Sequence, residues 1–162
     1  MDKPEIHIGI ADMKVAKAPA VLTSLGIGSC VGIILFDKHS KIGGMAHIML
    51  PDQDIVRNKT NRAKFANTAI PDMVEDMVKK GADRKFIKAK IMGGAHMFKF
   101  SRETAISNIG KRNVEEVKKV LGEMKIKIIA EDTGKDYGRS LFFDLDTGEV
   151  KIRTTTHGVM IL

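Results

Sequence analysis

Eight short β-like runs against only two stretches of helical period constrain this chain most. The runs cover residues 6–13, 21–25, 31–37, 42–50, 86–92, 126–132, 141–144 and 150–155. They are rich in β-branched and aliphatic residues and are bounded by Gly, Pro, Asp and Lys. The last two flank Asp146-Thr147-Gly148-Glu149 and read as a hairpin, because Gly148 accepts positive φ. Ala63, Ala66, Ile70, Met73, Val74, Met77 and Val78 share one helical face, and Gly81 is placed to stop that helix. Pro71 falls inside it and predicts a kink or a division into two helices. A second helix is expected over 111–124, burying Val114, Val117, Val120 and Leu121. Its outer face pairs Glu115 and Glu116 with Lys118 and Lys119. So many strands and so few helices argue against regular βαβ alternation. The expectation is an α+β domain of mostly antiparallel β-sheets packed together and flanked by helices, an α-β-β-α-like sandwich.

The 162 residues suit one domain over 1–162, and no linker or repeat divides them. No apolar run approaches the roughly 20 residues of a spanning helix, which predicts no direct membrane insertion. The first residues, Met1-Asp2-Lys3-Pro4-Glu5, lack a secretory pattern, so a cytoplasmic protein is expected. The net charge of +7 is spread along the chain, and one Tyr, seven Phe and no Trp supply a poor base-stacking platform. A solvated basic surface, suited also to an acidic protein partner, is favoured over nucleic-acid binding. The single cysteine excludes an internal disulfide and a cysteine metal cluster. The five histidines lack paired ligand spacing, so no metal is expected.

Chemistry concentrates in Gly26-Ile27-Gly28-Ser29-Cys30-Val31 and Ala46-His47-Ile48-Met49-Leu50-Pro51. The glycines before Cys30 allow a tight turn and let amide groups near Gly28 and Ser29 approach a developing oxyanion. If Asp37-Lys38-His39-Ser40 forms the loop between the two strands, Cys30 lies directly opposite His47 on one sheet face. An imidazole there can take the thiol proton and hold the thiolate as an ion pair. Ser24, six residues before Cys30, is a candidate to orient the ring. A lone buried cysteine and a satisfied core histidine are the bland alternatives.

The segments Leu25-Gly26-Ile27-Gly28-Ser29-Cys30-Val31-Gly32 and Ala46-His47-Ile48-Met49-Leu50-Pro51 resemble the signature of the CheD family. So do Gly93-Gly94-Ala95-His96-Met97-Phe98, Asn108-Ile109-Gly110-Lys111-Arg112-Asn113, and Glu131-Asp132-Thr133-Gly134 with Gly138-Arg139. Order and spacing agree over roughly residues 6–155. The resemblance implies hydrolysis of glutamine side-chain amides on chemotaxis receptors without any cofactor, with nucleophile Cys30 and base His47. The family's third catalytic residue, a threonine, falls on Ser24, with Thr23 one place earlier. Lys135 stands where the family usually has a second glycine. The implied fold is one of packed β-sheets flanked by helices, and the implied partner is CheC, a phosphatase acting on phosphorylated CheY. Two rival readings are a regulatory binding module for CheC with little catalysis of its own, and another Cys–His hydrolase of peptidase or transglutaminase type.

Other conspicuous residues have structural expectations. Gly93 and Gly94 permit a turn, His96 packs, and Asn108 and Asn113 cap or brace the second helix. Asp132 and Thr133 form a turn, and Arg139 pairs with a local carboxylate.

Overall fold

The computed structural model describes residues 3–55, 61–97 and 108–162. Among these residues, ten strands and two α-helices follow in the order β1 (Glu5–His7), β2 (Met13–Lys17), β3 (Val21–Ile27), β4 (Val31–Asp37), β5 (Ile42–Ile48), α1 (Ala66–Lys80), β6 (Ile87–Gly93), α2 (Ile109–Glu123), β7 (Ile128–Thr133), β8 (Arg139–Asp144), β9 (Val150–Thr154) and β10 (Val159–Ile161). They form two five-stranded sheets, ordered β1-β3-β8-β9-β10 and β2-β5-β4-β6-β7. Pairings β1–β3 and β6–β7 are parallel and the rest antiparallel, so the expected α+β sandwich is built from two mixed sheets.

Strand alternation divides the core in two. Ile34, Met45 and Met92 face one way from the second sheet and meet Leu22, Leu141, Phe143 and Ile152 of the first. Val31, Ile33, Leu35, Ala46 and Ile48 face the other way, where Ile70, Met73 and Met77 of α1 and Val117 and Leu121 of α2 cover them. Both helices therefore lie on the outer side of the second sheet. β4 and β5 are buried on both faces, which explains why they read as unbroken apolar runs rather than alternating ones.

The helix α1 is continuous through Pro71, so no break divides it. Gly81 ends it at φ +118°, its N–H reaching Val78 O, as its position predicted. In α2, Glu115 meets Lys111 at 4.0 Å and Lys118 instead reaches Glu131 on β7 at 3.1 Å. The run 6–13 is not one strand. Its start joins the first sheet and its end opens β2 in the second, with Ala11 at φ +59° where the chain changes sheets.

One register differs from expectation and bears on the site. Gly32, not Cys30, pairs with His47, because Asp37 pairs with Ile42 and the loop is Lys38-His39-Ser40-Lys41. Asp37 Oδ1 accepts the N–H of His39 at 2.9 Å, its carbonyl accepts that of Lys41 at 2.9 Å, and Lys41 adopts φ +56°. The loop keeps four residues but starts one later, which moves the register by two and preserves the shared face. Cys30 becomes a diagonal neighbour of His47 rather than its direct partner.

Candidate functional site

His47 on β5 and Ser24 on β3 project from different sheets into the layer between them. Ile8 continues β1 beside β3, its N–H bonding Thr23 O at 2.7 Å. Ser24 Oγ donates to Ile8 O at 2.7 Å and stands 2.9 Å from His47 Nδ1. A hydroxyl has one proton, and Ile8 takes it, so the Ser24 oxygen accepts from Nδ1–H. His47 Nε2 is thereby left with its lone pair. It is buried and, among the described residues, has no hydrogen-bond partner. Burial, helped by the charge of His7, pushes His47 down from 6.5 to about 4. The ring is neutral at pH 7. Thr23, the next residue along β3, projects to the opposite side of its strand, so Ser24 is the hydroxyl that meets the imidazole.

Cys30 ends the bend between β3 and β4. A bulge at Leu25-Gly26 breaks the β3–β8 register, with Gly26 at φ +67°, and redirects the chain into this bend. The half-buried Cys30 packs against the inter-sheet cluster, the layer that holds the His47 ring. Diagonal positions across a strand pair stand about 7–8 Å apart, within reach of a long side chain. Burial raises the Cys30 thiol, partly offset by its own backbone N–H. The resting pair is thus neutral thiol and neutral imidazole, not the ion pair expected from sequence.

The end of β6 and the start of α2 pin the Cys30 loop. Gly94 N–H reaches Cys30 O at 2.7 Å and Ala95 N–H reaches Gly28 O at 2.9 Å. A Cβ on Gly93 would lie 2.5 Å from Cys30 O, and one on Gly110 would lie 2.5 Å from Ala95 O. These glycines therefore let β6 and the start of α2 close on the loop, more than the turn expected of Gly93 and Gly94. Asn113, expected to cap or brace α2, is fully buried inside it. Its Nδ2 donates to Ser29 O and Met49 O, each at 3.0 Å, and so ties the Cys30 loop to the end of the His47 strand. Its position, four residues before Val117 and seven before Val120, put it on the buried face of α2. A polar residue there needs partners elsewhere, and that signal was available in the sequence. Asn108 holds the N-cap position but makes no side-chain cap bond.

Arg139 is fully buried and pairs with Asp132 at 2.8 Å, the local carboxylate expected for it. Asp132 and Thr133 close β7, and the turn follows at Gly134-Lys135, both with positive φ. Lys135 occupies φ +63°, a conformation that favours glycine. His96 is exposed rather than packed, its N–H bonding Lys135 O at 2.8 Å. An open groove of about 470 Å³ runs beside the loop past Gly26, Gly28 and Met97. A separate cavity of about 240 Å³, lined by Phe36, Phe86 and Phe143 with Lys38, Lys88 and Lys90, lies toward the far end of β4, away from Cys30 and His47. Among the described residues no group of three or more His, Cys, Asp or Glu is arranged to hold a metal ion. No helix among them is long and apolar enough to cross a membrane.

A family model described as CheD chemotactic sensory transduction matches residues 49–154, a stretch that begins after Ser24, Cys30 and His47. Curated relatives extend over those residues too. A probable chemoreceptor glutamine deamidase CheD of Clostridium novyi is 53% identical over 98% of both chains. Proteins with the same description from Clostridium kluyveri and Caldanaerobacter subterraneus are 48% and 44% identical, again over 98% of each chain. Among solved structures, a Neisseria meningitidis protein of the DUF152 family superposes with a TM-score of 0.52 at 9% identity, over 82% of this chain and 64% of that one. The Bacillus licheniformis hypothetical protein YfiH gives 0.50 at 14% identity, over 77% and 51%. At such identities the likeness concerns the fold alone.

Proposed function

The chain belongs to the CheD family, and from that premise we propose that it hydrolyses glutamine side-chain amides on chemotaxis receptors, with Cys30 as nucleophile, His47 as base and Ser24 orienting the ring. The observation that carries this reading is the Ser24–His47 bond. It spends the Nδ1 proton on Ser24 and leaves a bare Nε2 in the layer that Cys30 packs against.

Cys30 passes its proton to Nε2 as Sγ attacks the carboxamide carbon. The resting thiol is raised and the imidazole lowered by burial, so charge separation is costly until substrate arrives. The oxyanion then falls to the N–H groups of Gly28, Ser29 and Cys30, for which no backbone acceptor is found among the described residues. The tetrahedral adduct collapses as His47 returns the proton to nitrogen, releasing ammonia and leaving a thioester. Water, deprotonated by the same Nε2, attacks the thioester and expels the thiol, giving glutamate. Ser24 accepts from Nδ1–H throughout, so the imidazolium formed at each step keeps one partner.

Incubation with a receptor cytoplasmic fragment tests the proposal. Mass spectrometry should show a gain of about one dalton per modified glutamine, lost in Cys30→Ala and His47→Ala. Undiminished deamidation by Cys30→Ala would refute the mechanism. Family membership also supports action in the cytoplasm and docking to the CheC phosphatase, which a titration of one protein against the other tests.

A further inference from the structure

We infer that the cavity at the far end of β4 is a binding site for a small aromatic carboxylate, its ring taken by Phe36, Phe86 and Phe143 and its charge by Lys38, Lys88 and Lys90. Phe36 lies six residues along the chain from Cys30, about 20 Å of extended strand, so the site is separate from the nucleophile bend and independent of what that bend does.

The cavity begins at a break in the pattern of the second sheet. Ile34 and Phe36 of β4 pair with Lys90 and Lys88 of β6, and paired residues share a sheet face. That face looks into the layer between the sheets, where Ile34, Met45 and Met92 pack against the first sheet. Met92 is fully buried there, while Lys90, two residues earlier on the same face, is half-buried and Lys88 is exposed. A face that turns from methionine to lysine along one strand marks where the layer opens, and a local break of the core pattern is where function is expected.

The aromatic wall is held in place before any ligand arrives. The Phe36 ring meets Phe143 edge to face at 5.3 Å and 88°, and a Cβ on Gly148 would lie 2.8 Å from its rim, so the turn between β8 and β9 rests directly on it. Phe86, 38% exposed, is braced by the His39 ring at 4.3 Å. Rings fixed in this way offer edge and face to a further ring at little cost in side-chain entropy. The volume of about 240 Å³ equals roughly eight waters' share of liquid, room for one six-membered ring with a carboxylate head.

The charge at the mouth calls for an anion. Lys90 Nζ donates to Gly148 O at 2.8 Å and to Leu162 O at 2.9 Å, which leaves the third proton of the ammonium for a ligand. Burial lowers the pKa of Lys90, the mark of a cation with less compensation than water gave it, and the charge of Glu149 offsets only part of that. Lys38 and Lys88 add two exposed ammonium groups to the same lining. Three like charges about one opening repel one another, and a carboxylate placed between them is attracted by all three.

Titration of the 15N-labelled chain with benzoate, followed by NMR, tests this. Saturable shifts should gather at residues 34–38, 86–90 and 147–148, with a Kd of about 1 mM or tighter, within reach of so small a ligand. Benzamide, of the same shape without the charge, should bind at least about tenfold more weakly. Lys88→Met and Lys90→Met should each weaken benzoate about fivefold or more, while Lys79→Met, on α1 outside the second sheet, should leave it unchanged. Lys88→Met, at an exposed position, keeps the test free of any loss of the Lys90 bonds to the turn. Shifts that do not saturate, equal affinity for benzamide, or unchanged affinity in both cavity variants overturns the inference. An acidic peptide containing Phe that shifts these amides where benzoate does not would assign the cavity to a protein partner and overturn it equally.

Discussion

Acidification should destabilise this protein through one ring. His47 is 3% exposed, and the one polar contact of its ring among the described residues, Ser24, serves the neutral tautomer as well as the charged one. In the unfolded chain the ring titrates near 6.5, whereas in the fold it is pushed down to about 4. Between those values the unfolded chain binds the proton and the folded one resists it, so stability falls as pH falls. The loss begins near pH 6.5, reaches roughly 1.4 kcal/mol at pH 5.5 and approaches about 3 kcal/mol at pH 4. That is a large share of the stability of a typical domain. Urea unfolding at steps from pH 7.5 to 4.5, in the wild type and in His47→Asn, isolates the contribution. Carboxylates titrate alike in both proteins and cancel in the difference. The wild type should lose about 2–3 kcal/mol more than the variant across this range. Parallel pH profiles would show that the ring is protonated without penalty, and the neutral resting pair would then be wrong.

Two further outcomes follow from the loop contacts. Asn113→Ala removes two hydrogen bonds of 3.0 Å and should cost about 2–4 kcal/mol in chemical denaturation, while lowering kcat more than it raises KM, since it frees the Cys30 loop from the His47 strand. Lys135→Gly relieves a left-handed residue at φ +63° and should stabilise the chain by about 1 kcal/mol, raising Tm by about 2–4 °C in calorimetry.

What the sequence made legible is local. The bounds of β4 coincide with the apolar run 31–37, and α2 is found within two residues at each end, because burial on one or both faces writes itself into periodicity. The shared layer of Cys30 and His47 also followed from alternation along neighbouring strands. The register between them did not, because a four-residue loop can begin at Asp37 or after it. The choice was made by Asp37, whose carboxylate captures the N–H of His39 at 2.9 Å and that of Asp83, 46 residues away, also at 2.9 Å. A bond to so distant a partner leaves no trace in the spacing of the hairpin. Likewise β10 has only three residues, and its ladder to β9 depends on the chain returning from the turn at Thr155-Thr156-His157.

The same distinction separates the proposed catalytic residues from their support. A cysteine and a histidine are visible by type, but what fits His47 to the proposed role of base is a proton inventory: one hydroxyl hydrogen given to Ile8 O, hence one ring hydrogen given to Ser24, hence one bare nitrogen. Ile8 follows β1, Ser24 lies in β3 of the same sheet and His47 in β5 of the other, so that inventory exists only once the sheets have packed. Asn113 completes it from the opposite side, holding the bend that carries Cys30 against the strand that carries His47. The site is thus a property of the seam between layers, which is why the residue types were readable from the chain and the protonation state was not.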